Sequence, residues 1–117
     1  MASALLDKSK AFALQIIKVC NAIKSTKKES ILTNQLLRSG TSIGANIREA
    51  FYAHGRADFI AKLQIALKEA SETGKWLEML YKTEYIDLIE YKKLDRLCST
   101  IRILLIKSIN TAKANQK

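Results

Sequence analysis

The chain has 117 residues, of which 48% are hydrophobic and 26% charged, values that fit one folded domain and exclude a disordered tail or a two-domain enzyme. It has no proline and only four glycines, which disfavours β-rich folds, because their turns depend on these residues, and leaves long helices. Twenty Lys and Arg against 11 Asp and Glu leave a net charge of +9, which makes acidic partners the ones to test. No apolar run approaches the roughly 20 residues of a membrane span, and the first residues lack a signal-peptide pattern. We therefore expect a cytoplasmic protein without membrane contact.

Apolar residues at heptad spacing predict four helices, at about residues 4–24, 30–53, 57–82 and 88–113. Their inward positions are Leu5, Phe12, Ile16, Val19 and Ile23, then Leu32, Leu36, Ile43, Ile47 and Ala50, then Ile60, Leu63, Leu67, Ala70, Leu77 and Leu80, and finally Leu94, Leu97, Ile101 and Leu104. Gly55 is a natural stop for the second helix, Asp58 falls in the first turn of the third, and Asp87 with Glu90 has the spacing of a capping box for the fourth. Short loops make neighbouring helices antiparallel, which predicts a single all-α domain, an up-down-up-down four-helix bundle.

Small residues accumulate in the second helix, where Gly40 and Gly44 each cost about 1 kcal/mol relative to alanine. A continuous helix would let a neighbouring backbone approach closely at this stretch. A broken helix, with Gly40 as a stop and Ser42 as a new cap, is the alternative. The run lacks the Gly-Lys-Ser/Thr ending of a phosphate-binding loop.

Two segments, one in the second predicted helix and one in the third, carry a specific pattern of residues: Leu36, Arg38, Ser39, Ser42, Ile43, Asn46, Ile47, Glu49, Ala50, Asp58, Phe59, 66–70, Glu72, Thr73 and Trp76. With this pattern the chain resembles a known family, the four-helix bundle proteins called 23S rRNA intervening-sequence proteins. The family looks similar to the accessory protein of diversity-generating retroelements, and this likeness implies a bacterial protein, a barrel of five bundles and contact with nucleic acid. His54, Gly55 and Arg56 depart from the family, which often has a serine before the Asp-Phe pair. The resemblance implies the fold but no common activity.

No constellation for catalysis is evident in the sequence, and we expect a protein that is not an enzyme and uses no cofactor or metal. Glu-x-x-His repeats of di-metal bundles are absent, and the single histidine, His54, lies near a predicted helix end. Cys20 and Cys98 form no Cys-x-x-Cys motif, and we interpret them as small buried apolar residues.

Polar residues in the two family-like segments have spacings that could place complementary charges on the facing second and third helices. They are Arg38, Asn46, Glu49, Lys68, Glu69 and Glu72. A network that sets the register of the two helices is the favoured interpretation, and a binding site is the alternative.

A second apolar stripe predicts self-association. If Ile101 and Leu105 face the core, other apolar residues of the first and fourth helices point away from it. These candidate interface residues are Leu6, Leu14, Ile17, Ile103 and Ile106. Because the first and fourth helices are neighbours in the predicted bundle, we expect the two stripes to merge into one patch and form a closed homo-oligomer. A pentamer is implied only by the family resemblance.

Positive charge collects at the end of the bundle that holds both termini. Its cations are Lys8, Lys10, Arg48, Arg56, Lys62, Lys107, Lys113 and Lys117. Against Asp7, Glu49 and Asp58 they leave +5, whereas the opposite end carries +2. This distribution predicts electrostatic binding of RNA or DNA by backbone and shape, since the four tyrosines are spread along the chain and form no evident aromatic platform. A protein–protein adaptor with an unknown partner and no nucleic-acid ligand is the alternative.

Overall fold

The computed structural model describes the backbone of residues 2–115 and the side chains of residues 4–115. It contains four helices, α1 (Ala2–Lys27), α2 (Ile31–Phe51), α3 (Arg56–Lys82) and α4 (Leu88–Ala114), and no strand within the described range. The predicted all-α four-helix bundle is confirmed. Each helix packs on its neighbours in the chain, and α4 closes the bundle against α1, which gives a rod of 51 × 21 × 19 Å. None of the helices in this range is long and apolar enough to cross a membrane.

The core follows the heptad pattern in each helix, except that Leu97 is exposed and that Val19, Leu32, Leu67 and Leu104 are only partly buried against the core. Leu97 was expected to face inward, but it is 39% exposed, and the buried residues are instead Leu94, Cys98, Ile101, Leu105, Ile109 and Ala112. These positions repeat at intervals of three and four residues, so that Cys98 takes the place expected for Leu97. The small thiol packs as an apolar group, which explains why the stripe was predicted one residue too early.

The loops bend at residues other than glycine. Lys28 and Glu84 have φ angles of 59° and 67°, in the left-handed region that follows many helix ends. Glu84 lies in a Schellman motif, in which the Tyr85 amide donates to the Leu80 carbonyl at 2.8 Å and the Glu84 amide donates to Tyr81 at 3.0 Å. The first helix ends at Lys27, directly before the turn at Lys28 and three residues beyond the predicted end at Lys24.

Gly55 does not stop α2 as expected. The helix ends at Phe51, and Gly55, with an extended φ of −178°, is the cap residue that precedes α3. Asp58 lies in the first turn of α3, and Asp87 accepts a hydrogen bond from the Glu90 amide at 2.8 Å at the start of α4, both as predicted.

The helix α2 is continuous through its glycines, which resolves the two alternatives. A Cβ on Gly40 would lie 3.0 Å from Cγ2 of Ile16, and one on Gly44 would lie 3.3 Å from Oγ of Ser9 and 3.8 Å from its carbonyl carbon. The backbones of α1 and α2 therefore approach closely where α2 lacks side chains, and this close packing offsets the low helix propensity of glycine.

Candidate functional site

Three of the six polar residues selected from the sequence, Arg38, Glu49 and Glu69, form contacts between α2 and α3. Arg38 pairs with Glu69 and Lys62 with Glu49, each at 3.2 Å, while the buried Thr73 hydroxyl donates to Oγ of Ser39 at 3.0 Å. Two of these contacts lie side by side and the third lies ten residues further along α2, so the helices are joined at two places, as a network that sets register would do.

The remaining polar candidates do not extend this network. The Asn46 amide donates to the Ser42 carbonyl of its own helix, and within the described residues neither Lys68 nor Glu72 forms an ion pair.

The cations predicted for the basic end differ in their availability. Lys62 is paired with Glu49, and Arg56 donates from Nη1 to the Asn115 carbonyl at 2.7 Å, where it caps the end of α4. Of the remaining cations predicted for this end, those that are exposed and form no ion pair with a described residue are Lys8, Lys10, Arg48, Lys107 and Lys113. Lys117 lies outside the described residues. Three helices thus contribute available cations to this end.

Two grooves meet at the basic end on the outer face of α2. One, between α1 and α2, has a volume of about 880 Å³, and the other, between α2 and α3, about 480 Å³. Ala45, Arg48 and Tyr52 line both of them. Tyr52 was not selected from the sequence, because four tyrosines spread along the chain gave no sign that one of them stands exposed beside cations.

The predicted oligomer residues lie in different directions. Leu14, Ile103 and Ile106 are exposed, at 54%, 55% and 43%, whereas Leu6 and Ile17 are half-buried. Leu6 lines the groove against α2, and Ile17 lies on the same side of α1 as Ala13, which also lines that groove.

Leu6 and Ile17 therefore do not extend the exposed patch toward α4, whereas a contact between copies through Leu14, Ile103 and Ile106 stays a prediction. The surface of α1 beside the α3–α4 loop and the first turn of α4 presents Gln15, Lys18, Val19 and Ala22. The reason is that 100° steps along a helix place Leu6 and Ile17 on the opposite flank of α1 from Val19 and Ala22.

The two thiols are buried in the core, in agreement with their interpretation as small apolar residues. Cys20 donates to the Thr33 carbonyl at 3.4 Å and Cys98 to the Ala70 carbonyl at 3.3 Å. Burial raises the pKa of each thiol to about 11, so the nucleophilic thiolate is scarce at neutral pH. His54 is exposed in the α2–α3 loop.

Comparison with known proteins identifies a matching protein family and a similar solved structure. A family model described as 23S rRNA-intervening sequence protein matches residues 3–107. Among solved structures, a protein of unknown function from the S23 ribosomal protein family of Bacteroides thetaiotaomicron superposes with a TM-score of 0.89. The two sequences are 50% identical, and the match covers 90% of this chain and 97% of that one. No curated protein matches the chain.

Proposed function

Because the chain belongs to the 23S rRNA-intervening sequence protein family, we propose that it acts in the cytoplasm as a non-enzymatic homo-oligomer that binds structured RNA or DNA electrostatically. The observation that supports this proposal is the gathering of Lys8, Lys10, Arg48, Lys107 and Lys113 at one end of the rod, exposed and without an ion pair among the described residues. Cations that no carboxylate neutralises are available to replace the counterions of a phosphate backbone.

Self-association would strengthen this binding. Leu14 and Ile103 are more than half exposed although both are large apolar side chains, and contact between copies would remove them from water. In a closed ring every copy presents its basic end to the same rim, so several weak phosphate contacts act together.

Fluorescence anisotropy of a labelled RNA hairpin and a labelled DNA duplex, titrated with the protein between about 50 and 200 mM salt, tests the proposal. If five cations of one copy contact phosphates, the affinity for duplex DNA falls roughly 500-fold over this range. Lys107→Glu with Lys113→Glu removes two of these contacts, so we expect weaker binding and a log–log salt slope smaller by about 2.

Lys92→Glu with Arg96→Glu is the matched control, since it makes the same change of charge nearer the other end of α4, where both side chains are exposed. We expect it to leave the salt slope close to that of the wild type. Equal weakening by both pairs would mean that net charge, rather than the basic end, determines binding.

The second candidate function, a protein–protein adaptor, is favoured by Ile89, which is 81% exposed far from the basic end. Absence of nucleic-acid binding at the lowest salt would reject the first proposal and favour this one. The Lys107→Glu/Lys113→Glu variant would then leave partner binding unchanged.

A further inference from the structure

Tyr52 presents its ring to solvent at the basic end of the bundle. It follows the last residue of α2 and is 75% exposed, whereas Tyr81, Tyr85 and Tyr91 are half-buried at the opposite end. Tyr81 and Tyr91 also stack on each other, with ring centroids 4.9 Å apart and planes inclined by 8°. Tyr52 is thus the one tyrosine of the chain whose ring is available to a ligand at the basic end.

The surroundings of Tyr52 leave room on both sides of the ring. Grooves of about 880 and 480 Å³ meet at it, and two turns away along α2 the surface carries only the small side chain of Ala45. Arg48 lies four residues before Tyr52, a spacing that places the guanidinium beside the ring on the same face of α2. A flat ligand can therefore approach the ring without displacing any part of the protein.

The close packing of α1 on α2 brings a second cation, Lys10, into the groove beside Tyr52. Ser9 lies against Gly44, which has no side chain to hold the two helices apart. Lys10, the next residue of α1, consequently shares the larger groove with Arg48 and Tyr52. A bulkier residue at position 44 would move Lys10 away from the ring.

Charge around Tyr52 is locally balanced. The two grooves are lined by Lys10, Arg48 and Lys62 but also by Asp7, Glu49 and Asp58, and Lys62 is already paired with Glu49. The exposed aromatic ring of Tyr52, rather than an excess of positive charge, therefore distinguishes these two grooves from the rest of the basic end. Its face suits another aromatic plane, and stacking on a base does not require net charge.

We propose that Tyr52 stacks on an unpaired base of a bound nucleic acid, with Arg48 and Lys10 at the flanking phosphates. This inference deepens the proposed function and rests on it. Unpaired bases are the class of ligand because a duplex hides its base faces within its own stack, whereas loops and bulges expose them.

The test uses two RNAs that share one stem sequence, a hairpin with 2-aminopurine in its loop and a fully paired duplex. Their affinities for the wild type, Tyr52→Ala, Tyr52→Phe and Ile89→Ala are measured at two salt concentrations. Ile89→Ala is the matched control, because it removes an equally exposed large side chain at the other end of the bundle.

We expect Tyr52→Ala to lower the affinity for the hairpin by about 5- to 150-fold and to leave duplex binding unchanged. The loss should be equal at both salt concentrations, since stacking releases no counterions. Tyr52→Phe keeps the ring and the affinity, and the wild type quenches the 2-aminopurine fluorescence where Tyr52→Ala does not.

Unchanged hairpin binding by Tyr52→Ala would overturn the inference and leave the proposed function standing. If the wild type bound neither RNA, the proposed function itself would fail, and the inference with it. A lower native mass of Tyr52→Ala in light scattering would instead place the ring between copies of the chain, which also overturns the inference.

Discussion

Gly40 and Gly74 both lie inside helices, but their surroundings differ. At Gly40 a Cβ would lie 3.0, 3.2 and 3.4 Å from three atoms of Ile16, which is fully buried. At Gly74 nothing lies within 4 Å. Ile16 is β-branched and stiff, so it cannot turn away from an added methyl group. The first glycine is needed for packing, and the second is not.

Gly74→Ala should raise the free energy of unfolding by about 0.5–1 kcal/mol, because alanine is the better helix former. Gly40→Ala gains the same propensity but crowds Ile16, and we expect a net loss of about 1–2 kcal/mol. Urea unfolding followed by circular dichroism measures both. An equal increase in the free energy of unfolding for the two variants would show that the side chain of Ile16 can shift to accommodate the methyl group without an energetic cost.

At the scale of the element, α2 begins with an unusual cap. Ser30 occupies the cap position but makes no side-chain hydrogen bond there. Glu29, one residue earlier, accepts from the Leu32 amide at 2.7 Å and the Thr33 amide at 3.0 Å. Burial raises the pKa of the Glu29 carboxyl, but these hydrogen bonds lower it by more, so the pKa lies below its usual value. The carboxylate thus stabilises the N-terminus of α2 in its charged form.

Glu29→Ala should lower the free energy of unfolding by about 0.5–2 kcal/mol at pH 7, while Ser30→Ala stays within about 0.5 kcal/mol of the wild type. A pKa lowered in the folded state means that the contribution of Glu29 is present above the ordinary glutamate pKa and is lost as the pH falls through the folded-state value. Unfolding at pH 7 and pH 3 checks this, since the difference between wild type and Glu29→Ala should shrink at the lower pH. A difference independent of pH would assign the effect to something other than the carboxylate.

At the scale of the whole molecule, charge and exposed apolar area are distributed differently. Five exposed cations without an ion pair in the described range lie at the basic end, although Lys92 and Arg96 lie unpaired toward the other end of α4. Leu14 lies near the middle of α1 and Ile103 in the half of α4 nearer the basic end, and both side chains are exposed. Lys10 and Lys107 lie four residues from Leu14 and Ile103 and share their helix faces. An assembly through these faces would therefore bring these two cations to the edge of the contact between copies.

Ile103→Lys with Ile106→Lys should give folded monomers, because each lysine would place a charge in an apolar contact between copies. Light scattering measures the native mass, and circular dichroism confirms the helices. Gln64→Lys with Ser71→Lys, at exposed positions of α3, adds the same charge and serves as the control. A native mass unchanged by the α4 pair would rule out this face as the contact between copies.

The sequence alone determined the fold class and most of the core. Apolar residues at heptad spacing must face one another, and short loops leave only antiparallel neighbours. Burial of Phe12, Leu36, Leu63 and Ile101 followed from this periodicity. The exposure of Leu97 did not follow from it, because Cys98, one residue later, fits the same stripe and the apolar pattern cannot distinguish the two residues.

Only the tertiary structure decided which helix flank each outer residue occupies and which cations are available. Arg56 and Lys62 look equivalent to Lys107 in the sequence, yet they are held by Asn115 and Glu49, residues distant from them in the chain. Leu6 turns toward α2, and Tyr52 stands exposed beside Arg48 and Lys10. Periodicity gives only the angle of a residue around its own helix. Whether a side chain is free to bind a ligand depends on which residues of the neighbouring helices lie against it.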